Sequence, residues 1–234
     1  RALLEWNTDM YVPQYPSADW FAKMGQEGCD RPVVPSEYSH AMGNSNGGIS
    51  AQWEQIRLYP QLQGAFIWDW VDQGFLEKDE KGYDYWAYGG DYGVDMPSDA
   101  NFCCNGIVAP DRTPHPSMEE VRHAYTNILF EADDAASGKG FTITNLHYFT
   151  TLEGYDIHWF IEGDGKVISK GKFNFSTAPQ HVESFDISYK RLKFKKDVDY
   201  YIRFSAVTKS AERLVPAGHE VASAQFPISL RGNV

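Results

Sequence analysis

Arg31–Gly48 reads RPVVPSEYSHAMGNSNGG. Its first half, Pro32-Val33-Val34-Pro35, sets two β-branched residues between prolines, which is too short for a helix and suits a short buried strand. Its second half, His40 to Gly48, is a run of turn formers that cannot continue a strand. Glu37 stands at the changeover. A carboxylate at the carboxyl end of a parallel strand, followed by Tyr38, His40 and a glycine-rich turn, is where barrel enzymes keep their chemistry. Taken without its neighbours, the same Glu also fits a loop-start cap or an ion pair, because structural carboxylates outnumber catalytic ones.

Working outward, residues 1–12 (Ala2-Leu3-Leu4-Glu5-Trp6, then Asp9 to Val12) read as a strand and its loop, closed by Pro13, Tyr15 and Pro16. Ser17 is an N-cap for a helix through Gln26, with Trp20, Phe21 and Met24 on one face and Gly28 as its stop. After Glu37, Ile49, Trp53, Ile56 and Arg57 recur at helical spacing over about 48–59, and Pro60 ends that helix. GAFIWDWVD, Gly64 to Asp72, is a near-continuous apolar run of strand length, the pattern of a parallel strand buried on both faces. Strand, helix, strand, helix, strand calls for right-handed crossovers and a parallel sheet. From Gln73 to Thr113 no period is visible, and loops of that length inside compact domains are functional or disordered; Trp86, Tyr88, Tyr92 and Phe102 favour function. After Pro114-His115-Pro116, a helix from about Ser117 to Ile128 carries Met118, Val121 and Tyr125 on one face.

The pattern then changes to alternation: 141–145, 156–161, 185–188, 200–207 and 220–226, with Gly163-Asp164-Gly165 as a hairpin signal. This is an antiparallel sandwich of immunoglobulin-like size without a Cys–Trp–Cys framework. The expected organisation is therefore α/β followed by all-β, with a boundary between residues 128 and 129.

Composition narrows the function classes. With 21 basic against 32 acidic residues and a net charge of −11, the chain lacks the basic face that nucleic acid requires. The one basic run, Lys190 to Lys196, suits a solvated strand edge or loop. No apolar run has transmembrane length, so no membrane-spanning helix is expected. Cys29, Cys103 and Cys104 show no C-x-x-C spacing and make neither a disulfide framework nor a zinc site. Six of the seven tryptophans fall in the first ninety residues, which fits either core packing or stacking against sugar rings.

Four motifs in register give a more specific reading. SEYSHAMGNS, GAFIWDWVDQG, YGGDYG and FCCNGIVAPDRTPHP, in that order, resemble the carboxyl-terminal part of bacterial β-galactosidases of glycoside hydrolase family 2. The resemblance covers nearly the whole chain, since that family also has a sandwich after its barrel. It implies the last strands and helices of a (β/α)8 TIM barrel over 1–128 and an immunoglobulin-like β-sandwich over 129–234. It further implies Glu37 as the catalytic nucleophile, Tyr15 as its hydrogen-bonding neighbour, His40 on galactose hydroxyls, and Trp68 as the apolar floor of the sugar site. Phe102 and Asn105 would help hold a sodium ion (Na+) beside the sugar's 6-hydroxyl, with Asn105 also counted in the substrate site. Hard oxygen ligands of that kind suit a hard cation.

Each residue also has a plainer reading: Tyr15 as loop packing, Trp68 as barrel core, Asn105-Gly106 as a turn. A retaining glycosidase needs a second carboxylate about 5–5.5 Å from the nucleophile to protonate the leaving oxygen. In the family that acid/base, and the ligands of a magnesium ion (Mg2+), lie in segments that no stretch of this sequence matches. Asp69, Asp72 and Asp91 are read as positioning residues, not as substitutes for the acid. A complete barrel takes about 250 residues, so the chain reads as a fragment, inactive by itself and prone to associate with further copies through open sheet edges. Two rivals stay open here: a family 2 β-glucuronidase or β-mannosidase, and a non-catalytic carbohydrate-binding or assembly module.

Overall fold

The computed structural model describes residues 3–189 and 191–231. Ala2 of the expected first strand and Lys190 of the basic run lie outside the described residues. The chain divides into two compact units, Arg1–Tyr125 and Thr126–Val234.

In the first unit, helix α1 (Ala18–Glu27) starts where the Ser17 hydroxyl accepts a hydrogen bond from the Trp20 amide, 3.1 Å. That satisfies one of the amides a helix start leaves without a partner. Gly28, at φ 79°, ends it, its amide donating to the Met24 carbonyl. Helix α2 (Ile49–Leu58) follows Gly48, which is left-handed at φ 80°.

Between and after these helices run extended segments joined by parallel bridges: Tyr11 with Val33, Gln14 with Glu37, Val33 with Leu62, Tyr38 with Ile67, and Val71 with Val108. Pro13, Pro32 and Pro35 lie in these segments and lack amide donors, so the ladder is carried by isolated bonds such as Tyr11 amide to Pro32 carbonyl, 2.8 Å. One side of this sheet packs on the helices through Phe21, Val33, Tyr38, Ile49, Ile56 and Val121.

Several expectations are corrected here. Leu3–Trp6 forms no strand: the chain turns there, the Thr8 hydroxyl bonding the Glu5 carbonyl at 3.0 Å, and Arg31 holds the Glu5 and Thr8 carbonyls. The Gly64–Asp72 run is not buried on both faces, since Phe66 and Trp70 are 65% and 61% exposed. The segment 73–113, read as a loop without period, holds a few short elements. It opens with an antiparallel hairpin, β1 (Phe75–Lys78) and β2 (Asp84–Ala87), whose turn is fixed by the Asp79 carboxylate accepting from the Lys81 and Tyr83 amides. Near its end, 105–108 pairs with 69–72 and adds a further parallel segment to the sheet. Helix α3 covers only Met118–Ala124, because Ile128 already opens a strand paired to Asn145.

The second unit holds two antiparallel sheets. One is ordered β3-β4-β7 and the other β6-β5-β8-β9. The strands are β3 (Ile128–Asp134), β4 (Lys139–Asn145), β5 (Tyr155–Gly163), β6 (Lys166–Phe173), β7 (Val182–Phe185), β8 (Tyr200–Thr208) and β9 (Glu220–Ser229). A single apolar cluster draws on both sheets, with Phe141 and Ile143 from one and Ile157, Ile161, Ile202 and Phe204 from the other. Strand β6 was not among the expected strands; its KVISKGKF sequence is mostly exposed, with lysines along an edge strand. Strand β7 lies at 182–185 instead of 185–188, because the Ile187 amide leaves the ladder to bond the Gly138 carbonyl. The described part of the basic run, 191–196, is loop. Among the described residues no helix is long and apolar enough to cross a membrane.

Candidate active site

Glu37 and Tyr38 are consecutive, so their side chains leave opposite faces of the extended segment. Tyr38 points into the helix-side core, fully buried; its hydroxyl pairs with that of Tyr125 at 2.6 Å and accepts the Trp53 indole N–H at 2.8 Å. This ties the segment to α2 and leaves Glu37 on the other face, half-buried. There the Tyr15 hydroxyl donates to Glu37 Oε2 at 2.6 Å and the Gln14 amide nitrogen donates to Oε1 at 2.5 Å. The Tyr15 backbone amide also donates to the Glu37 carbonyl, 2.8 Å. Burial, then the hydrogen bond to Glu37, then the charges of Glu37 and Asp69 push the Tyr15 phenol well above its usual range. It keeps its proton at neutral pH and remains a donor.

The glycine-rich turn after Glu37 is held by its own side chains. Asn46 Nδ2 donates to the Ser39 carbonyl and hydroxyl, and the Ser45 hydroxyl bonds the His40 and Met42 carbonyls at 2.7 Å. His40 is thereby set edge-on to Tyr15, with ring centroids 5.9 Å apart, and stacked on Phe102 at 5.6 Å. The structure thus brings together Tyr15, Glu37, His40 and Phe102.

Trp68 is stitched to the same segment by backbone bonds, its amide to the Tyr38 carbonyl and its carbonyl from the Ala41 amide. Asn105, only 3% exposed, gives its carbonyl to the Asp69 amide, and its amide and Nδ2 meet Gln73 Oε1. The polar residues of the WDWVDQ stretch hold this corner. Asp72 accepts from the Gly106 amide at 2.8 Å and pairs with His115 at 2.6 Å, and Gln73 donates to Asp69. Asp91 instead accepts from the Tyr88 amide at the start of the 3-10 turn Gly89–Tyr92. Burial foremost, then the charge of Asp72, raises the Asp69 carboxyl above its ordinary range.

His40 Nε2, Trp68 Nε1, Asp69 Oδ1 and Asn105 Oδ1 are buried and make no hydrogen bond among the described residues. Buried polar atoms left unpaired are costly, and these four belong to residues of the 36–45, 64–74 and 102–116 stretches. Among the described residues no group of three or more His, Cys, Asp or Glu side chains is placed to hold a metal ion.

Residues 3–130 match the family described as "Glycosyl hydrolases family 2, TIM barrel domain". The chain belongs to glycoside hydrolase family 2. Residues 141–229 match a second description, "Beta-galactosidase, domain 4". Among curated relatives, "Beta-galactosidase 2" of Enterobacter cloacae is 36% identical over 233 residues, covering 94% of this chain and 22% of that protein. The "Beta-galactosidase" of Pectobacterium atrosepticum is 41% identical over 176 residues, covering 75% and 16%. That of Priestia megaterium is 40% identical over 197 residues, covering 84% and 19%. The chain spans about a fifth of the length of the curated relatives it matches.

The resemblance singled out Tyr15 but not Gln14, which makes the second contact to Glu37. No sequence signal marked it; in the structure Gln14 is the residue paired with Glu37 in the parallel bridge.

Proposed function

We propose that this chain is the nucleophile-bearing part of a retaining β-galactosidase. The observation that carries the reading is the Glu37 carboxylate at the end of its extended segment, held at 2.6 Å by the Tyr15 hydroxyl. In the first step Glu37 forms a bond to the anomeric carbon while the glycosidic C–O bond breaks, and an acid from outside this chain protonates the leaving oxygen. Water then cleaves the galactosyl ester and frees Glu37. His40 would bond sugar hydroxyls through its unpaired Nε2, Trp68 would lie against the apolar face of the ring, and Asn105 would meet its polar edge.

The buried, unpaired Asn105 Oδ1 fits a hard cation, so Asn105 and the Phe102 carbonyl are the residues proposed to hold sodium. Bound there, the ion would supply fixed positive charge beside the sugar. The second unit, read more finely, is an immunoglobulin-like sandwich, supported by its two antiparallel sheets over one core.

The test is hydrolysis of a nitrophenyl β-galactoside by the protein at its natural length. Glu37→Gln is expected to lower kcat by at least about 10³-fold while leaving galactose binding measurable. Turnover within tenfold of the parent would remove Glu37 from the mechanism.

A further inference from the structure

Resting on the reading of Glu37 as nucleophile, we propose that Gln14 is a positioning residue that locks the torsion of its carboxylate. Successive residues of an extended chain send their side chains to opposite faces. Gln14 and Tyr15 break that rule, since both reach the same carboxylate, one on each oxygen, at 2.5 and 2.6 Å. The backbone gives the reason. Tyr15 is left-handed at φ 52°, uncommon for a bulky residue, and this twist turns both side chains toward Glu37. Pairing fixes the register, because Gln14 and Glu37 are bridge partners and the Tyr15 amide bonds the Glu37 carbonyl.

A carboxylate with one donor can still rotate about its last bond; one with a donor on each oxygen cannot. The choice of donor matters as well. An amide and a phenol that keeps its proton are both neutral, so they orient the nucleophile without cancelling its charge, as Lys or Arg would. Gln14 has no need to touch the sugar. Its effect runs through the angle at which Glu37 meets the anomeric carbon, where misplacement by an ångström is costly in rate.

The experiment uses the natural-length protein and two variants. Gln14→Met keeps the length of the side chain and removes the donor. Gln14→Glu keeps the shape and replaces the donor with a carboxyl group. Each is measured by kcat and KM on the nitrophenyl galactoside and by the rate of covalent trapping with a 2-deoxy-2-fluoro-galactoside. Gln14→Met is expected to slow trapping and lower kcat about 10- to 100-fold, the loss of a hydrogen bond to a charged group, with KM within about threefold. Gln14→Glu is expected to be slower still at neutral pH and to recover toward acid, as the introduced carboxyl takes a proton and can donate again. A merely structural role would move neither the trapping rate nor the shape of the pH profile.

Trapping by Gln14→Met within twofold of the parent overturns the inference. If that variant fails to fold, Gln14→Glu decides: a pH profile parallel to the parent's overturns it. If Glu37→Gln still hydrolyses the substrate, the reading of Glu37 itself fails and this inference falls with it. If Glu37→Gln is dead and Gln14→Met unimpaired, only the role of Gln14 is lost.

Discussion

At the scale of single residues, Tyr15 is the most informative side chain. Its hydroxyl is committed to Glu37 although the residue is 47% exposed, so its contribution to folding is small and its contribution to orienting the carboxylate is large. Tyr15→Phe is expected to lower kcat about 10- to 100-fold while shifting the thermal midpoint by less than about 2 °C; steady-state kinetics and a melting curve on one preparation check both. Glu37, His40, Trp68, Phe102 and Asn105 lie in the motifs of the resemblance and Tyr15 on the loop before them, and the structure brings Tyr15, Glu37, His40 and Phe102 together. Gln14 was not legible in the sequence, because its direction depends on a left-handed Tyr15, and nothing in the residue type announces that conformation. Asp69, Asp72 and Asp91 were read as positioning residues without what they position; Asp72 holds the Gly106 amide, and Gln73, which was not read that way, bridges Asp69 and the Asn105 amide.

At the scale of elements, the two long helices were read to within a residue or two, since Ser17 and Gly28 mark one and Pro60 follows the other. The extended segments were harder. Prolines that mark their ends also remove ladder donors, and the Asn105–Val108 segment follows a long stretch without period. Asn105-Gly106 reads as a turn, yet Gly106 is there because backbone passes against it. A β-carbon built at Gly106 would stand 2.3 Å from the Asp72 nitrogen and 2.4 Å from the Val71 carbonyl carbon. Neither neighbour is a flexible side-chain end. Gly106→Ala is therefore expected to push 105–108 off 69–72 and cost about 2 kcal/mol or more, seen as a lower denaturation midpoint with unchanged slope. A midpoint equal to the parent's would mean that the close approach is not sustained in solution.

At the scale of the whole molecule, the change from helical to alternating pattern was legible because a period of 3.6 gives way to a period of 2. The exposed Phe66 and Trp70 were not, since an apolar run says that a face should be covered without saying by what. In the second unit Phe204 is fully buried and its ring meets those of Phe130, Phe141, Phe185 and Phe226. Phe204→Ala is expected to destabilise that unit by about 3–5 kcal/mol, read by calorimetry as loss or downward shift of one transition. The proposed chemistry rests on a carboxylate oxygen of Glu37 bonding the sugar's anomeric carbon. The most direct measurement is to incubate the natural-length protein with a 2-deoxy-2-fluoro-galactoside, digest it, and locate the added sugar by tandem mass spectrometry. The expected result is one fluorogalactosyl group per chain on the peptide spanning Pro32 to Met42, assigned to Glu37 and absent from Glu37→Gln. A label on any other carboxylate, or none on a protein that still turns over galactosides, would contradict the account.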